Sequence, residues 1–596
     1  MFMKGEKGDY VNKQELDVLM TIANGARANQ RELAEQCRMS LGSVNKTIKQ
    51  LQEKGYIAAD LKMLDKGRQI ICDGTQKKNA IILAAGYGMR MVPINMETPK
   101  GLLEIHGEPM IERQIRYLQE IGIAEIYVVV GFMKERYAYL MDRFGVRLIV
   151  NPEFSNKNNL HSLALASKHI ENTYIVPCDV WCESNPFHRY ELYSWYMVGE
   201  QPHEDSWVRV NRKNELVQVD DEISGNEMIG IAYVEGKIAQ ILAGRLQELD
   251  KNKKYNKSFW ETALFNNKKM LPWAKVVSDG EAVEITTYEQ LREIDSSSNQ
   301  LKSDAIEAIK ECLAVHAEEI KQITVLKKGM TNRSFRFYCK GETYIMRIPG
   351  EGMEQLIDRK QEYDVYQRIK DQHICDDLMY INPDNGYKIT KYLENARVCD
   401  PEDISDVIKC MDKLRYVHNL NLQVDHVFDV FEKINFYESL WDGKTSDFKD
   451  YLTTKENVFR LKQYIDQCDK HWVLTHIDAV PDNFLFIDTT DGQEIRLIDW
   501  EYAGMQDACL DVAMFAIYSM YDREQVEQLI DAYYVEGCTK AERLKIYCYI
   551  AAAGLLWSNW CEYKRQKGVE FGEYSLRQYQ YAKEYYKLFM EEKEHA

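Results

Sequence analysis

The stretch "IILAAGYGMRMVPINMETPK", residues 81–100, joins an apolar run to two closely spaced glycines. The run is typical of a buried strand, and Gly86 and Gly88 open the turn that follows it. Such turns expose backbone N–H groups that bind phosphate. A dinucleotide site would need a third glycine, whose place is taken here by methionine. Because Arg90 and Lys100 add positive charge, the stretch instead predicts a triphosphate site.

Around this stretch, short apolar runs alternate with helical stretches, as in "AIILAAG", "MIERQIRYLQEIG" and "EIYVVVG". Alternating strands and helices predict a mostly parallel sheet covered on both faces. The strand-like "TYIVPCDV" ends at Asp179, and ligands bind at the carboxyl ends of strands in open α/β sheets. Asp179 is therefore a candidate binding-site residue. The polar run at residues 295–304, "DSSSNQLKSD", is the predicted linker to the next domain.

The whole string resembles the L-A-A-G-x-G-x-R…P-K signature of nucleotidyltransferases that join a nucleoside triphosphate to a phosphorylated metabolite. The resemblance implies a Rossmann-like α/β sheet, Mg²⁺ as cofactor, and Arg90 and Lys100 as catalytic residues. It implies Asp179 and Glu284 as the metal ligands, although Thr286 stands where the choline branch has a further acid, which leaves the ligand set open. The implied nucleotide-binding residues are Leu83, Ala84, Ala85, Gly86, Gly88, Arg90, Lys100, Asn159 and Ser162.

The segments "NPEFSNKNNLHSLALA" and "SFWETALF" narrow the resemblance to the CTP:phosphocholine cytidylyltransferases. A quaternary ammonium donates no hydrogen bond and is best held by aromatic faces and an acid. By position in the pattern, the phosphocholine candidates are Trp207, Tyr233, Trp260 and Glu261. Core packing remains the alternative for each aromatic.

A second set of polar residues lies in "THIDAVPDNFLFIDTTDGQEIRLIDWEYAG", residues 475–504. Asp478 and Asn483 have the H-x-D-x-x-x-x-N spacing of a kinase catalytic loop, and Asp499 ends a following strand. These spacings predict that Asp478 accepts the proton of an attacking hydroxyl, and that Asn483 and Asp499 hold Mg²⁺ on ATP.

The residues ahead of this loop indicate a small β-rich lobe that would bind the ATP phosphates. "KKGMTNRSF" supplies Gly329, Thr331 and Asn332 for a hairpin over the phosphates. Arg347 takes the place of the usual strand lysine, with Glu362 as its helix partner. The segment resembles the choline/ethanolamine kinase and aminoglycoside phosphotransferase superfamily, and within it the bacterial choline kinases, which implies a bilobal protein-kinase-like fold.

In "LLWSNWCEYK", Trp557 and Trp560 are three residues apart and therefore share one face of a helix. Core packing is the default for such a pair. The resemblance to choline kinases implies instead that the two rings line the choline pocket, with Glu501 neutralising the ammonium.

The first 76 residues have the helical periodicity of a winged helix-turn-helix and resemble the MarR-type regulators. Leu41, Val44, Ile48 and Leu51 fall on one helical face, and "YIAADLKMLDKGRQIIC" is expected to form a two-stranded wing. This segment has a net charge of +2 against −20 for the rest. DNA binding and a regulatory or oligomerisation role are both left open.

Composition bounds the remaining possibilities. At 596 residues the chain exceeds one core, and its net charge of −18 excludes nucleic-acid or membrane binding by bulk electrostatics. No apolar run is long enough for a membrane span, so we expect a cytoplasmic protein. The fourteen cysteines lack paired metal-binding spacings. The expected fold is multidomain α/β and α+β, with a winged helix at 1–76, a nucleotidyltransferase at 77–298 and a kinase-like domain at 299–596.

Together the resemblances imply a sequence of two reactions, in which choline and ATP give phosphocholine, and phosphocholine and CTP give CDP-choline for decoration of surface glycans. Three alternatives stay open. The kinase could act on ethanolamine, the chain could be a sugar-1-phosphate nucleotidyltransferase fused to a sugar or aminoglycoside kinase, or it could be a transcription regulator that senses choline metabolites. Oligomeric state is not determined by the sequence.

Overall fold

The computed structural model describes the chain except residues 1–10, 26–28, 74–77, 89–90, 92, 95–97, 204–205, 220–223, 327–331, 351–355, 490–491, 567–568, 570 and 595–596. The chain divides into two units, residues 1–306 and 307–596. Within the described parts, we find no helix with the length and apolar character that a membrane span requires.

The first unit begins with four helices: α1 Lys13–Ala23, α2 Gln30–Gln36, α3 Leu41–Glu53 and α4 Asp65–Asp73. Ser40 caps α3, accepting a hydrogen bond from the backbone N–H of Ser43. Val44, Ile48 and Leu51 are buried as predicted, whereas Leu41, in the first turn, is 43% exposed.

The expected two-stranded wing is right only for its first residues, and wrong for residues 65–73. One bridge joins Ile57 to Met63, and the following residues form α4. The buried side chains of Ile70 and Ile71 draw this helix onto the core of the four helices. A Cβ at Gly67 would lie 2.4 Å from the carbonyl oxygen of Tyr56, so the close approach of α4 requires glycine there.

A large mixed sheet follows in the same unit. Its elements, with two short flanking hairpins, are β1 Asn79–Ala84, β2 Glu104–Ile105, β3 Glu108–Pro109, α5 Met110–Glu120, β4 Glu125–Val130, α6 Tyr139–Phe144, β5 Arg147–Val150, α7 Asn159–Leu165, β6 Thr173–Pro177, β7 Val180–Cys182, β8 Trp195–His203, β9 Val208–Val210, β10 Glu215–Gln218, β11 Gly225–Val234, α8 Gly236–Asp250, β12 Phe265–Asn266, β13 Lys269–Val277, β14 Ala282–Glu284 and α9 Tyr288–Ile294.

The strand order is β5-β4-β1-β6-β11-β8-β13-β10-β9. The first four strands are parallel, as the alternating pattern predicts. The second half is not: β11 runs antiparallel to both β6 and β8, and β10 runs antiparallel to β13. "Mostly parallel" is therefore right only for the half of the sheet that carries the glycine-rich turn, where the helical connections lie between successive strands.

The two faces of β1 serve two separate cores. Ile82 and Ala84 pack with one apolar cluster, and Ile81 and Leu83 pack with another that includes Leu160 of α7. Because successive residues of a strand point to opposite faces, the near-continuous apolar run of β1 indicates a strand covered on both sides.

The predicted linker at 295–304 packs against the same unit. Asp295 accepts a hydrogen bond from the backbone N–H of His106 (2.7 Å), and the Ser298 hydroxyl donates to the carbonyl of Glu104 (3.0 Å). Polar composition marked the end of the sheet domain but did not reveal that these side chains cap the β2–β3 hairpin.

The winged helix is docked on the sheet domain through the segment that precedes β8. The side chain of Asn24 exchanges two hydrogen bonds with the backbone of Tyr190 (3.1 and 3.2 Å), and Tyr193 donates to Asp17. Leu192, 2% exposed, belongs to the hydrophobic core of the winged helix. The sheet domain thus contributes a core residue to its neighbour.

Leu192→Ala is expected to lower the free energy of unfolding of the first unit by about 2–5 kcal/mol, because it leaves a cavity in the winged-helix core. Leu41→Ala, at a position that is 43% exposed, is the matched control and should change it by less than about 0.5 kcal/mol. Denaturant unfolding of both variants measures the difference. Equal effects would show that Leu192 does not complete that core.

The second unit has a five-stranded antiparallel sheet, in the order β15-β16-β17-β19-β18, followed by a helical lobe. The elements from the connection onwards are α10 Asp304–Leu313, β15 Lys321–Val325, β16 Asn332–Cys339, β17 Glu342–Pro349, α11 Arg359–Ile369, β18 Leu378–Ile381, β19 Lys388–Lys391, β20 Arg397–Val398, α12 Ile404–Asn419, α13 Val430–Ser439, α14 Tyr451–Gln467, β21 Trp472–Thr475, β22 Phe484–Thr489, β23 Gly492–Leu497, β24 Gly504–Asp507, α15 Cys509–Tyr518, α16 Arg523–Tyr533, α17 Lys540–Gln566 and α18 Glu573–Glu594.

Helix α17 forms the centre of the helical lobe. Its residues from Leu544 to Tyr563 are buried almost continuously, because helices pack against it from several sides. A helix that is apolar all round is buried in this way. The paired strands β21–β24 and β22–β23 precede α17 in the chain and carry the loops described next.

Candidate active sites

The glycine-rich turn of the first unit leaves the sheet between two parallel strands. The carbonyl of Leu83 accepts from the N–H of Cys178 (3.1 Å), and that of Ala85 accepts from Phe132 (3.1 Å), with Ala84 between them at the end of β1. A Cβ at Gly86 would meet no atom within 4 Å, so the turn is open there. Arg90 lies outside the described residues.

Gly88 has a left-handed backbone (φ +64°), which favours glycine. A Cβ on this residue would lie 3.5 Å from the stem of the Lys100 side chain. The turn therefore packs directly on Lys100, which brings the glycines of residues 81–100 together with the last residue of that stretch.

Lys100, Asp179 and Glu284 converge at the carboxyl end of β6. The Lys100 ammonium forms an ion pair with the Asp179 carboxylate. Strand β14 pairs with β7 so that Glu284 lies opposite Val180, and the N–H of Ile285 donates to the carbonyl of Asp179 (2.8 Å). Burial alone would lower the pKa of Lys100, but the two carboxylates outweigh it and the pKa is raised. Lys100 is therefore charged at neutral pH.

The bend that carries Asp179 is held by Gln114 of α5. Its side-chain amide donates to the carbonyls of Pro177 and Val180, each at 2.8 Å. Gln114 is 4% exposed, and the two bonds fix the backbone on both sides of Asp179. The sequence pattern gave no indication of this residue, because a glutamine on an amphipathic helix is usually solvated.

The donor set fits Mg²⁺ bound together with a nucleotide. No group of three or more histidine, cysteine or acidic residues suited to a metal ion occurs in the described part of the chain. Mg²⁺ is usually held by one or two carboxylates, with phosphate oxygens and water completing its shell. Asp179, directly before β7, and Glu284, at the end of β14, are two such hard oxygen donors. They would hold the ion, which would neutralise charge on the phosphates.

The predicted nucleotide residues of α7 make contacts within the protein. The Asn159 side-chain oxygen accepts from the N–H of Trp260 (2.8 Å), and the Ser162 hydroxyl accepts from Asn151 (3.0 Å). Both tie α7 to neighbouring loops; their role toward a nucleotide stays a prediction.

The four predicted phosphocholine residues do not come together as a single cage. Trp260 is fully buried, and Trp207 stacks on Phe265 (4.6 Å) in the same cluster. Tyr233 points to the opposite face of the sheet, where it packs on Tyr174 (4.9 Å). Because Tyr233 pairs with Tyr174, three residues before β6 ends at Pro177, Tyr233 is about 10 Å from that end of the strand.

Glu261 is the member of this set with an available hydrogen-bond acceptor, and the indole N–H of Trp260 is an available donor. The Glu261 Oε1 accepts from the hydroxyl of Tyr196 (3.0 Å), and its buried Oε2 has no hydrogen-bond partner among the described residues. Burial, and to a smaller extent the charge of Glu284, raise the pKa of Glu261 to about 7, although hydrogen bonds from its own N–H and from the Tyr196 hydroxyl act in the opposite direction. A carboxyl in this state would be stabilised by a cationic ligand.

In the second unit, the catalytic-loop spacing brings Asp478 and Asn483 into contact. The Asn483 amide donates to the carbonyl of Asp478 (2.9 Å) and to its carboxylate (3.2 Å). Burial and the charge of Glu501 raise the pKa of Asp478 to about 6, although hydrogen bonds from Tyr518 and Asn483 act in the opposite direction. This carboxylate is a base near neutral pH, which suits proton acceptance from a hydroxyl.

Asp499 follows β23 with a left-handed backbone (φ +68°) and lies 3.8 Å from the Arg347 guanidinium. The expected pair of Arg347 with Glu362 is present as a two-pronged ion pair, and Arg347 also donates to the carbonyl of Gly386 (2.9 Å). Both partners are buried. An arginine here keeps its charge and its planar fork, as the substitution for lysine suggested.

Glu501 is held by the small sheet lobe. Its Oε2 accepts from Asn332 (2.8 Å) and from Arg359 (3.1 Å), and Arg359 also donates to Glu362 (2.9 Å). The structure thus brings Glu501 together with the predicted phosphate-binding residues rather than with Trp557. Gly329 and Thr331 lie outside the described residues.

The Trp557 ring lies in an aromatic cluster next to the catalytic loop. Its centroid is 5.3 Å from that of Tyr518, 5.5 Å from that of Trp560 and 6.0 Å from that of Tyr502. Because Tyr518 bonds Asp478, the cluster borders the proposed base. The helical face that carries the two tryptophans therefore lies next to the catalytic loop.

Comparisons with known proteins agree with this geometry. The profile of the MobA-like NTP transferase domain matches residues 80–197, the choline/ethanolamine kinase profile matches 323–580, and a winged helix-turn-helix DNA-binding profile matches 11–58.

Three relatives cover the two large domains. Choline-phosphate cytidylyltransferase of Streptococcus pneumoniae is 29% identical over 37% of this chain and 99% of its own. Protein LicA of Haemophilus influenzae is 25% identical over 42% of this chain and 95% of its own. 2-Aminoethylphosphonate cytidylyltransferase of Lancefieldella rimae is 33% identical over 32% of this chain and 81% of its own.

The chain belongs to the MobA-like NTP transferase family, as the 33% identical relative shows, and its residues 323–580 match the choline/ethanolamine kinase model. It is an enzyme with a transferase in the first unit and a kinase in the second. The predicted order of winged helix, α/β transferase and bilobal kinase is confirmed.

Two residues of the kinase site, Arg359 and Tyr518, were not predicted from the sequence. Arg359 lies three residues before Glu362, a spacing that places both on one helical face and offered a signal for the ion pair. Tyr518 is at the end of α15, far along the chain from Asp478. Nothing in local sequence links it to the base, since the contact depends on tertiary packing.

The kinase rate should fall as the pH decreases through about 6, because protonated Asp478 cannot accept the hydroxyl proton. Tyr518→Phe removes a hydrogen bond that stabilises the carboxylate, so the acid limb should move to higher pH. The pH dependence of kcat/KM measures both effects. Tyr534→Phe, whose hydroxyl contacts Cys509, is the control and should leave the limb in place. An acid limb at the same pH in Tyr518→Phe as in the wild-type chain would contradict this role of Tyr518.

Proposed function

We propose that the chain converts choline to CDP-choline in two steps. The kinase transfers the γ-phosphoryl group of ATP to choline, and phosphocholine then attacks the α-phosphorus of CTP in the transferase, releasing pyrophosphate. The observation that carries the proposal is the presence of both acidic sites on one chain, because the product of one reaction is the nucleophile of the other. CDP-choline would then supply phosphocholine for surface glycans.

For the kinase step, the proposal assigns proton acceptance to Asp478. Asn483 bonds this carboxylate and fixes its position, while Arg347 is held by Glu362 in reach of Asp499. Phosphoryl transfer depends mainly on positioning and on positive charge around the phosphates, which these groups supply. Asn483 and Asp499 are the proposed Mg²⁺ ligands.

For the transferase step, Lys100 is the proposed electrostatic catalyst. Its ammonium is charged and lies beside the two carboxylates at the end of β6. Attack on a phosphorus places additional negative charge on its oxygens, and a fixed cation stabilises that charge. The open turn at Gly86 leaves room for a triphosphate next to this lysine. CTP as the nucleotide is supported by the name of the pneumococcal relative.

Choline as the alcohol is supported by the aromatic cluster of the kinase. Trp557, Tyr518 and Tyr502 present rings beside Asp478, and aromatic faces attract a quaternary ammonium that cannot donate hydrogen bonds. A primary ammonium such as that of ethanolamine would leave its N–H groups unpaired against such rings.

A second candidate concerns the transferase alone. The Lancefieldella relative is named for 2-aminoethylphosphonate, which carries a primary ammonium. Glu261 offers a buried carboxylate oxygen without a described partner, while the predicted aromatic residues lie on different faces of the sheet. A carboxylate acceptor suits a primary ammonium, so aminoethylphosphonate and phosphoethanolamine belong in the substrate panel.

DNA binding by the winged helix stays a prediction. Lys46 and Lys49 are exposed on α3, whereas Arg38 ahead of that helix bonds Ser278 of the sheet domain (2.8 Å).

The purified chain, incubated with choline, ATP, CTP and Mg²⁺, is expected to form CDP-choline. ³¹P NMR measures the products. Asp179→Asn should stop at phosphocholine, since it removes a ligand of the transferase metal. Asp478→Asn should make no phosphocholine, yet should form CDP-choline when phosphocholine is supplied. Each variant is the control for the other. Absence of both products from the wild-type chain would reject the proposed function.

Trp557→Leu tests the alcohol. It should raise KM for choline more than KM for ethanolamine, because it removes a face that attracts the quaternary ammonium, while KM for ATP stays unchanged. Steady-state kinetics with both alcohols measure the shift. Trp441→Leu, which alters a buried tryptophan next to Tyr451 and Asn559, is the control for general damage to the lobe. Equal changes for the two alcohols would contradict an aromatic choline pocket.

A further inference from the structure

Lys388 is a buried lysine to which the proposed kinase reaction gives no role. It lies on β19 and is 5% exposed. In the β17–β19 ladder it is the direct partner of Arg347. Directly opposite residues of an antiparallel pair point to the same face of the sheet. The two cationic side chains therefore lie next to each other, on the face to which α11 is bonded.

The Lys388 ammonium is held by α11 and by the segment between α11 and β18. It donates to the hydroxyl of Tyr366, lies 4.4 Å from the centre of that ring, and is 3.5 Å from the carboxylate of Asp376. The Tyr366 hydroxyl in turn donates to Asp376 (3.1 Å). A hydroxyl, a ring face and a carboxylate together compensate the cost of burying the ammonium.

Helix α11 is therefore bonded to the sheet twice, at positions one helical turn apart. Glu362 bonds Arg347 of β17, and Tyr366, four residues later on the same helical face, bonds Lys388 of β19. Two bonds at this spacing fix the rotation of α11 about its own axis as well as its distance from the sheet. Lys388 thus helps to determine where Glu362 holds the Arg347 guanidinium.

The charges around Arg347 are not balanced by guanidinium groups alone. Three carboxylates surround it: Glu362 at 2.9 Å, Glu501 at 3.6 Å and Asp499 at 3.8 Å. Arg359 is the second guanidinium, and it is bonded to Glu362 and Glu501. Three buried acids next to two guanidinium groups call for a further cation.

The charge of Lys388 acts on two of these acids. Burial alone would raise the pKa of Glu362, but Arg347 and, to a smaller extent, Lys388 outweigh it, so that the pKa is lowered. Burial raises the pKa of Asp499, and the charges of Lys388 and Arg347 act in the opposite direction. The Nε–H of Arg347 is buried and has no hydrogen-bond partner among the described residues, so it is available to a phosphate oxygen.

We propose that Lys388 is a positioning residue of the kinase: through Tyr366 it fixes α11, and its charge compensates the acids around Arg347, which leaves that guanidinium available to the ATP phosphates. Lys388 itself touches neither the phosphates nor the alcohol. The inference rests on the proposed kinase reaction, which makes ATP the nucleotide of this site.

The test is Lys388→Met in the full chain, with binding of ATP and of adenosine measured by calorimetry. CTP in excess occupies the transferase, so that both titrations report the kinase site. We expect the Kd for ATP to rise about 10-fold, the factor that a hydrogen bond to a charged group typically contributes. The Kd for adenosine should not change, because adenosine has no phosphates. In steady-state kinetics, KM for ATP should rise by the same factor while KM for choline stays at the wild-type value.

Lys545→Met is the matched control. Lys545 is 3% exposed, lies on α17 of the same unit and forms an ion pair with Asp507 (2.8 Å). Its loss also leaves a buried acid without a cation and should lower thermal stability as much as the loss of Lys388. Both Kd values should nevertheless stay at the wild-type values at a temperature where the variant is folded.

Equal weakening of ATP and adenosine binding, a wild-type Kd for ATP in folded Lys388→Met, or the same loss in Lys545→Met would overturn the proposal. Should Lys388→Met fail to fold, Tyr366→Phe takes its place. This variant frees the ammonium, so it should weaken ATP binding by a smaller factor and leave adenosine binding unchanged. An unchanged ratio of the two Kd values in Tyr366→Phe would then overturn the role of Lys388.

The wild-type chain separates this inference from the proposed function. A chain that binds ATP but forms no phosphocholine would contradict choline as the substrate, whereas the two Kd values would still decide the role of Lys388. A chain that binds no ATP would overturn both.

Discussion

A carboxylate taken out of water must meet a cation or several hydrogen-bond donors, and this requirement organises both sites. In the transferase, Lys100 compensates the charge of Asp179 and Glu284. In the kinase, Glu362 and Glu501 share the guanidinium groups of Arg347 and Arg359. A buried ion pair contributes little net stability, since desolvation offsets attraction. Its effect here is on geometry, because few arrangements satisfy so many charges at once.

Strand ends explain why the charges meet where they do. In the transferase, β6 delivers Asp179 and the pairing of β7 with β14 delivers Glu284 from a hundred residues further along the chain. In the kinase, β21 and β23 deliver Asp478 and Asp499 to one place. The hydrogen bonds of a sheet fix the register of each strand. Side chains at the ends of strands are therefore held more precisely than side chains on loops alone.

Sequence predicted what depends on local order and missed what depends on packing. The glycine-rich turn, the ends of β1 and β6 and the contact of Asp478 with Asn483 follow from periodicity and short spacings. The wing was predicted too long. Residues 65–73 form a helix instead, because the helix buries Ile70 and Ile71 in the core. Tyr233 was grouped with Trp260 because the pattern gives order along the chain but not which face of a strand a side chain occupies. Gln114 acts on backbone groups that are distant in sequence, and no short-range signal marks it.

The docked segment before β8 has a consequence for how the chain is built. The last helix of the winged-helix domain ends at residue 73, but the hydrophobic core of that domain includes Leu192. During synthesis from the N-terminus, the first domain emerges with its core incomplete and can close it only after the first half of the transferase sheet has been made. The two folding events are therefore linked in time, and the boundary that looks natural in the sequence is not a boundary between independently folding pieces.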